Sequence, residues 1–213
     1  MEQQKAGQAL RILSEVYAGA RPALRFSTAY EHLVAVILSA QCTDERVNKV
    51  TAELFRAHST PEAMLTLSQE ELERYIFSCG LYKNKAKHIL SASRDIVEKF
   101  AGQVPSDFSQ LRTLAGVGQK TANVVSSVWF DRDAIAVDTH VFRVSNRLGL
   151  AHADTPAKTE EQLKKVIPQS DWSKAHHWLI YHGRQVCHAR NPACGECPLS
   201  DCCDYFSQND RQK

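Results

Sequence analysis

The amino-acid sequence predicts an all-α protein, and two observations support this. Apolar residues recur at spacings of three and four along most of the chain, and no segment alternates convincingly with period two. Residues typical of helix starts precede several of these apolar stripes. We therefore expect about nine or ten helices and no sheet.

Short motifs predict where several helices begin. Ser68 and Glu71 have the spacing of a capping box, in which the two side chains satisfy each other's backbone N–H groups. Thr60-Pro61 and Thr155-Pro156 each combine a capping hydroxyl with a proline at the first helical position. We expect a helix to begin at each of these three places.

Other helices are predicted from their apolar residues. Asn84 is predicted to cap a helix that runs to Phe100, with Gly102 just past its end. Residues 33–38, LVAVIL, are apolar on all sides, as expected of a helix inside a bundle. Two further stripes are Leu10, Leu13, Val16 and Tyr17, and Val47, Val50, Leu54 and Phe55.

Bulk composition limits the classes of protein. The formal net charge is +2 and the pI about 8.2, which allows nucleic-acid binding but does not argue for it. No apolar run approaches the roughly 20 residues of a membrane span, and MEQQKAGQAL lacks the apolar core of a signal peptide. We expect a cytoplasmic protein, so its seven cysteines are interpreted as thiols or metal ligands.

The segment 111–130, LRTLAGVGQKTANVVSSVWF, contains a glycine turn between two helical patterns. Gly116-Val117-Gly118 forms the turn, and a second helix is predicted to begin near Lys120. Backbone N–H groups at such a helix start suit a phosphate oxygen. A helix start and partial burial would both favour the neutral form of Lys120. An ordinary helical corner with a solvated lysine is the alternative from this motif alone.

Asp138 follows an apolar run and precedes the helical pattern of Val141, Val144 and Leu148. This setting is typical of a helix N-cap. Arg143, in the same segment, is interpreted as a surface charge.

The end of the chain is rich in cysteine. Cys187, Cys194, Cys197 and Cys203 have the spacing C-x6-C-x2-C-x5-C, which is a strong metal signal. Both zinc and an iron–sulfur cluster accept four cysteines, so the spacing leaves both open. Cys202 adds an ambiguity, because x4 fits almost as well as x5.

Three strings resemble the endonuclease III superfamily. LAGVGQKTA is similar to its helix-hairpin-helix motif, usually LPGVGxKTA, with Ala115 where proline is usual. VDTHVFRV is similar to the segment that holds the catalytic aspartate, and the cysteine spacing matches the family's 4Fe–4S pattern. The resemblance implies that Lys120 attacks the sugar C1′, that Asp138 stabilises cationic sugar, and that Cys203, not Cys202, is the fourth cluster ligand.

The resemblance also implies DNA contacts. LSAQCTDERVNKVT and CGLYKNKAKHI place Gln41 and Leu81 where the family fills the gap left by an extruded base. The hairpin residues Gly116, Val117 and Gly118 are expected to meet a phosphate, as is Arg190 in a cluster loop that is less basic than usual. Three nearby lysines, by default a solvated face, are further candidates for phosphate contact: Lys83, Lys85 and Lys87.

The implied fold has two helical domains that flank a DNA-binding cleft. One is a helical bundle of residues 22–132 with the hairpin at about 108–127, and the other joins residues 1–21 to 133–213 and the iron–sulfur cluster. The implied function is excision of damaged pyrimidines from double-stranded DNA and cleavage of the abasic site by β-elimination, carried out by a monomer. In the resembled superfamily, the adenine-excising members carry a catalytic glutamate on the helix that corresponds to residues 34–38. These residues offer no carboxylate here, which argues against adenine excision.

Two alternatives stay open on the sequence. One is a monofunctional or mismatch-specific glycosylase of the same superfamily. The other is a non-enzymatic DNA-binding module with the hairpin and a zinc site.

Overall fold

The computed structural model describes residues 3–130 and 135–210, and these residues form twelve α-helices and no strand. Within these ranges no helix has both the length and the apolar character needed to cross a membrane. The helices are α1 (Gln3–Val16), α2 (Ala29–Ser39), α3 (Asp44–Leu54), α4 (Pro61–Met64), α5 (Gln69–Ile76), α6 (Tyr82–Phe100), α7 (Phe108–Leu111), α8 (Gln119–Val128), α9 (Thr139–Leu148), α10 (Pro156–Val166), α11 (Trp172–Gln185) and α12 (Asp204–Asp210).

The chain divides into two compact units. Pro22–Arg132 is continuous, whereas Met1–Arg21 joins Asp133–Lys213. The predicted domain boundary at residue 132 lies in 131–134, outside the described residues. The prediction of an all-α fold is confirmed. The helices beyond the expected nine or ten are α11 and α12, for which no start was predicted.

Helix α2 is the centre of the continuous unit. Its residues from Tyr30 to Leu38 are all buried, as the apolar string LVAVIL predicts. It packs against α3, α6 and α8. The polar residues at its start are accommodated because Thr28 caps the helix and the Glu31 carboxylate accepts the Ser27 N–H at 2.5 Å. The end of this buried helix leads directly into the loop of Gln41.

The second unit is built on α9 and α11. These helices pack closely, and α1 joins them through its apolar face, which includes Leu13 and Tyr17. Val16, predicted to share that face, is 51% exposed, so its inclusion in the stripe was wrong. Short 3-10 turns replace longer helices between residues 187 and 203.

Most predicted helix starts are confirmed. The capping box of Ser68 and Glu71 is present, and Thr60 and Thr155 cap α4 and α10.

The predicted cap at Asn84 is wrong, because α6 begins at Tyr82. Its N-cap is Leu81, which lies in the left-handed region with φ 59° and has no capping side chain, so the sequence carries no signal for this start.

Gly149 ends α9 in a conformation that other residues rarely adopt. Its φ is 86°, and its N–H donates to the Ser145 carbonyl, as in a left-handed C-cap. A Cβ added here would clash with the Asp204 carboxylate in α12. Gly149 therefore serves both the helix end and the close approach of α12.

We expect Gly149→Ala to lower the free energy of unfolding by about 1–3 kcal/mol, since the left-handed backbone and the Asp204 contact both disfavour a Cβ. Gly7→Ala is the matched control, because Gly7 lies inside α1 and a Cβ there meets nothing within 4 Å. This control should be stabilised by about 0.5–1 kcal/mol, the helix propensity difference. Urea unfolding followed by circular dichroism measures both. Equal changes in the free energy of unfolding of the two variants would show that position 149 does not require glycine.

Candidate active site and cysteine segment

A tight turn joins α7 to α8. Gly116 has φ 78°, and a Cβ on it would lie 3.0 Å from Cβ of His88. The Val117 N–H donates to the Leu114 carbonyl at 3.1 Å, and the Val117 side chain is buried. Glycine is thus required at position 116 by the left-handed backbone and by the nearby His88 side chain. The buried Val117 side chain stabilises the turn.

Gly118 has a different role from Gly116. It is the N-cap of α8 with extended backbone, φ −86° and ψ −177°, so positive φ is not the reason for glycine here. A Cβ on Gly118 would meet nothing within 4 Å, so the backbone there is open. The first N–H groups of α8 have no partner within the helix, and its positive end faces the same opening. The turn therefore has the features of an anion site.

Lys120 is the second residue of α8 and its side chain is exposed. The expectation that it would be partly buried was wrong, since the described residues around it leave it open. Its position in the first helical turn is as predicted. The Lys120 amine is therefore presented at the open N-terminal end of α8.

Asp138 is the N-cap of α9 and is half-buried. Its Oδ1 accepts the N–H groups of His140 and Val141, each at 2.8 Å. These bonds satisfy two backbone donors and orient one carboxylate oxygen. The predicted capping role is confirmed, and the carboxylate is held in one orientation at the positive end of a helix.

Arg143 links α9 to the beginning of the cysteine segment. Its Nη2 donates to the Gly183 carbonyl at 2.9 Å, and its Nε donates to the Cys187 carbonyl at 3.1 Å. Nη2 also lies 3.1 Å from Nδ1 of His140, whose pKa is lowered mainly by burial. The interpretation of Arg143 as a surface charge was wrong, because the guanidinium is half-buried and bonded to two carbonyls.

The two predicted gap-filling residues lie close together. Gln41 follows α2 and Leu81 precedes α6, and both are exposed, Leu81 by 57%. Both have left-handed backbone, with φ 53° and 59°. A Cβ added to Gly80 would lie 3.4 Å from the Gln41 carbonyl oxygen, so the two loops are adjacent.

Only two of the three nearby lysines are available to a phosphate. Lys83 and Lys87 are exposed on α6, whereas Lys85 is 4% exposed. The Lys85 Nζ donates to the Leu38 carbonyl at 2.8 Å. Phosphate contact by Lys85 is therefore excluded by its burial.

Four cysteines surround one small cavity in the second unit. Its lining includes Cys187, Cys194, Cys197 and Cys203, together with apolar side chains. Cys202 is not part of this lining, and its Sγ contacts the Leu199 carbonyl at 3.4 Å in the interior. The cavity thus contains the four cysteines of the predicted register.

The donor set fits an iron–sulfur cluster. The pKa of the Cys197 thiol is raised to about 11, mainly by burial and in smaller part by nearby Cys203, Cys187 and Cys194, against a lowering hydrogen bond from the Leu199 backbone. Burial also raises the pKa of the Cys203 thiol. A bound metal would supply the positive charge that stabilises such thiols as thiolates. In the described residues no three His, Cys, Asp or Glu side chains form a group that could hold one ion. A 4Fe–4S cluster takes one cysteine per iron, so four cysteines around one cavity fit that cluster.

Two residues beside the cysteines were missed by the sequence analysis. Arg147 Nη1 lies 3.5 Å from Cys187 Sγ, and the guanidinium also donates to the carbonyls of His188 and Ala189. His182 lies with Nε2 3.7 Å from Cys197 Sγ. Burial lowers the pKa of His182 to about 4, so it stays neutral at pH 7. The four-residue spacing of Arg143 and Arg147, which puts both on one face of α9, was the available signal.

Arg190 lies in the loop that these contacts hold. Its side chain is exposed, and the following residue, Asn191, has a left-handed backbone with φ 49°. Arg147 bonds the carbonyls immediately before Arg190, so the loop is anchored at its base. Arg190 therefore projects from a held segment rather than from a loose end.

Family models match most of the chain. A model described as "HhH-GPD superfamily base excision DNA repair protein" matches residues 34–169. A second, described as "Iron-sulfur binding domain of endonuclease III", matches residues 187–203, whose ends are Cys187 and Cys203.

Individual relatives agree with these models. The chain is 49% identical to the endonuclease III of Synechocystis sp. over 203 residues, which is 95% of this chain and 93% of the relative. It is similar to a trapped endonuclease III–DNA covalent intermediate, with TM-score 0.94, 43% identity, and coverage of 99% of this chain and 100% of the other. A thermostable thymine-DNA glycosylase shares the fold, with TM-score 0.88, 22% identity, and coverage of 96% and 98%.

We expect Cys203→Ser to reduce the iron content well below the roughly four irons per chain that a 4Fe–4S cluster requires. Cys203 lines the cavity of the four thiols, whereas Cys202 is buried outside that lining. Cys202→Ser is therefore the matched control and should retain the iron and its visible absorbance. Iron analysis of anaerobically purified protein tests both. Loss of iron in Cys202→Ser with retention in Cys203→Ser would show that the register is wrong.

Proposed function

The chain belongs to the endonuclease III family of HhH-GPD base excision DNA repair proteins, and we propose that it is a bifunctional glycosylase and lyase for damaged pyrimidines. The observation that carries the proposal is the exposed Lys120 amine in the first turn of α8, immediately after the hairpin turn. A monofunctional glycosylase needs no amine there. The substrate is double-stranded DNA that contains a damaged pyrimidine or an abasic site.

Lys120 is the proposed nucleophile. Its neutral amine attacks C1′ of the damaged nucleotide, and the C1′–base bond breaks. Ring opening of the sugar gives a Schiff base between Nζ and C1′, which acidifies the C2′ proton. Loss of that proton and of the 3′ phosphate cleaves the strand by β-elimination, and hydrolysis of the Schiff base then frees the amine.

Asp138 is the proposed electrostatic partner of this reaction. Departure of the base leaves positive character on the sugar, and an ionised carboxylate stabilises it. The two backbone N–H bonds to Oδ1 hold the carboxylate still while it acts. Capping and catalysis are compatible, because capping uses the hydrogen bonds to Oδ1 and catalysis uses the negative charge of the carboxylate.

DNA binding is proposed to use three surfaces. The turn of Gly116 and Gly118 takes a phosphate at the open backbone of Gly118, where α8 begins, with Val117 shaping the turn. Gln41 and Leu81 enter the space vacated by the extruded base, the first as a polar filler and the second as an apolar wedge. Arg190 meets the backbone from the cluster loop.

The cofactor is a 4Fe–4S cluster, held by Cys187, Cys194, Cys197 and Cys203 in our proposal. When bound, it supplies the charge that keeps four thiolates together, and its role here is structural. Arg147 and the cluster then hold the two ends of the loop that presents Arg190.

The two compact units are proposed to be the two domains of the predicted fold. The hairpin and the gap-filling residues belong to the continuous domain, and Asp138, Arg190 and the cysteines belong to the other. We propose that a monomer carries the complete site. We expect the enzyme to act in the cytoplasm, at the chromosome.

Borohydride should reduce the Schiff base and trap the protein on abasic DNA, and Lys120→Ala should abolish this product because the amine is gone. Lys158→Ala is the matched control, since Lys158 is also exposed in the first turn of a helix, α10. It should trap like the wild type. Denaturing electrophoresis measures the covalent product, and binding to uncleavable abasic DNA checks that Lys120→Ala is folded. Trapping that survives Lys120→Ala would move the nucleophile elsewhere.

Asp138→Asn should slow base excision by about 100-fold or more, as removal of a group that stabilises a transition state does. Asparagine caps helices almost as well as aspartate, so stability should be nearly unchanged. Asp107→Asn is the control, because Asp107 caps α7 in the same way. Single-turnover excision of thymine glycol at saturating enzyme isolates the chemical step. A wild-type rate in Asp138→Asn would leave Asp138 as a cap alone.

A further inference from the structure

One buried side chain connects the loops of Gln41 and Leu81. Lys85 lies in the first turn of α6, the helix that begins directly after Leu81. Its Nζ donates to the carbonyl of Leu38, in the last turn of α2, the helix that ends just before Gln41. The hydrogen bond is 2.8 Å long and Lys85 is 4% exposed. Lys85 therefore ties the helix that leads into one loop to the helix that leaves the other.

The bond also suits the end of α2. The last four carbonyls of a helix have no partner within it, and the helix dipole makes that end negative. An ammonium bonded to Leu38 satisfies one of those carbonyls and opposes the negative end. Leu38 lies three residues before Gln41. A shift of the Leu38 carbonyl therefore moves the start of the Gln41 loop.

Two thiols and a second basic residue lie near the buried Lys85. The Cys79 and Cys42 thiols lie beside it and interact with each other, and burial lowers the pKa of Lys85. Arg46 is a further charge near Cys79. A buried amine costs free energy that an apolar side chain of the same length would avoid. What the amine provides and an apolar side chain does not is a directed bond to one carbonyl.

We propose that Lys85 is a positioning residue for lesion recognition, which sets the Gln41 loop against the Leu81 loop so that both enter the gap in the duplex. The proposal rests on the proposed function, since it gives these loops their role. Lys85 itself is too deeply buried to touch DNA. Gln41 and Leu81 both have left-handed backbone, which neither residue type prefers. Contacts with the surrounding structure must therefore hold the two loops in place, and the Lys85 bond is one such contact.

The test compares Kd values for two duplexes, one with a tetrahydrofuran abasic analogue and one undamaged. Lys85→Met keeps the length and apolar stem but removes the donor. We expect the ratio of the two affinities to fall by about tenfold, the effect of one buried hydrogen bond. Affinity for the undamaged duplex should change little, because phosphate contacts are untouched. Fluorescence of 2-aminopurine opposite the analogue should also fall in the complex, since the base there is less displaced.

Lys99→Met is the matched control on the same helix. Lys99 is exposed and pairs with Asp95 at 2.6 Å, far along α6 from the loops. Its affinity ratio should equal that of the wild type. If Lys85→Met does not fold, Lys85→Gln replaces it, because glutamine keeps a neutral donor with a shorter reach. An unchanged ratio in the folded variant would overturn the proposal.

A double-mutant cycle separates positioning from general weakening. In a background of Gln41→Ala and Leu81→Ala, Lys85→Met should have no further effect on the ratio, because the side chains that it positions are gone. Additive losses would overturn the proposal, as would a background that keeps the wild-type ratio. Wild-type protein that fails both to prefer the analogue and to trap with borohydride would instead sink the proposed function. The two failures are thus distinguishable.

Discussion

The free backbone groups at helix ends are the constraint on which the candidate site depends. Every helix leaves N–H groups at its start and carbonyls at its end without partners, and these must find others. Lys120 lies at the start of α8, Asp138 caps α9, Leu81 precedes α6, and Gln41 follows α2. An all-α protein has few other places where polar backbone is open, so its binding and catalytic groups gather at these ends.

The cysteine segment shows the opposite situation. Between residues 187 and 203 the chain has only two 3-10 turns of three residues each, so regular hydrogen bonds contribute little. Side chains from outside the segment take over this role. Arg143 and Arg147 in α9 bond the carbonyls of Cys187, His188 and Ala189. Because Asp138 caps the same helix, α9 is one rigid element that carries both the carboxylate and the anchors of the cluster loop.

Local sequence motifs predicted most of the fold and part of the site. Helix starts with a capping hydroxyl, such as Ser68 and Thr155, could be placed because the cap and the helix are adjacent in sequence. The start of α6 could not, because Leu81 caps it without a side-chain bond. Tertiary contacts could not be predicted from local sequence motifs either. The burial of Lys85 depends on a carbonyl 47 residues away, and the partners of Arg143 lie 40 and 44 residues away.

The site differs most from an ordinary helical surface at Gln41 and Leu81. Neither is glycine or asparagine, so left-handed backbone is unfavourable at both, by about 1–2 kcal/mol each. Such conformations persist where the surroundings determine them, and they are frequent at functional sites. Here the surroundings are the buried helix α2, the Lys85 bond and the close contact of Gly80 with the Gln41 carbonyl. A loop held in advance loses less conformational entropy on binding, so under the proposed function the strain in the free protein favours lesion recognition.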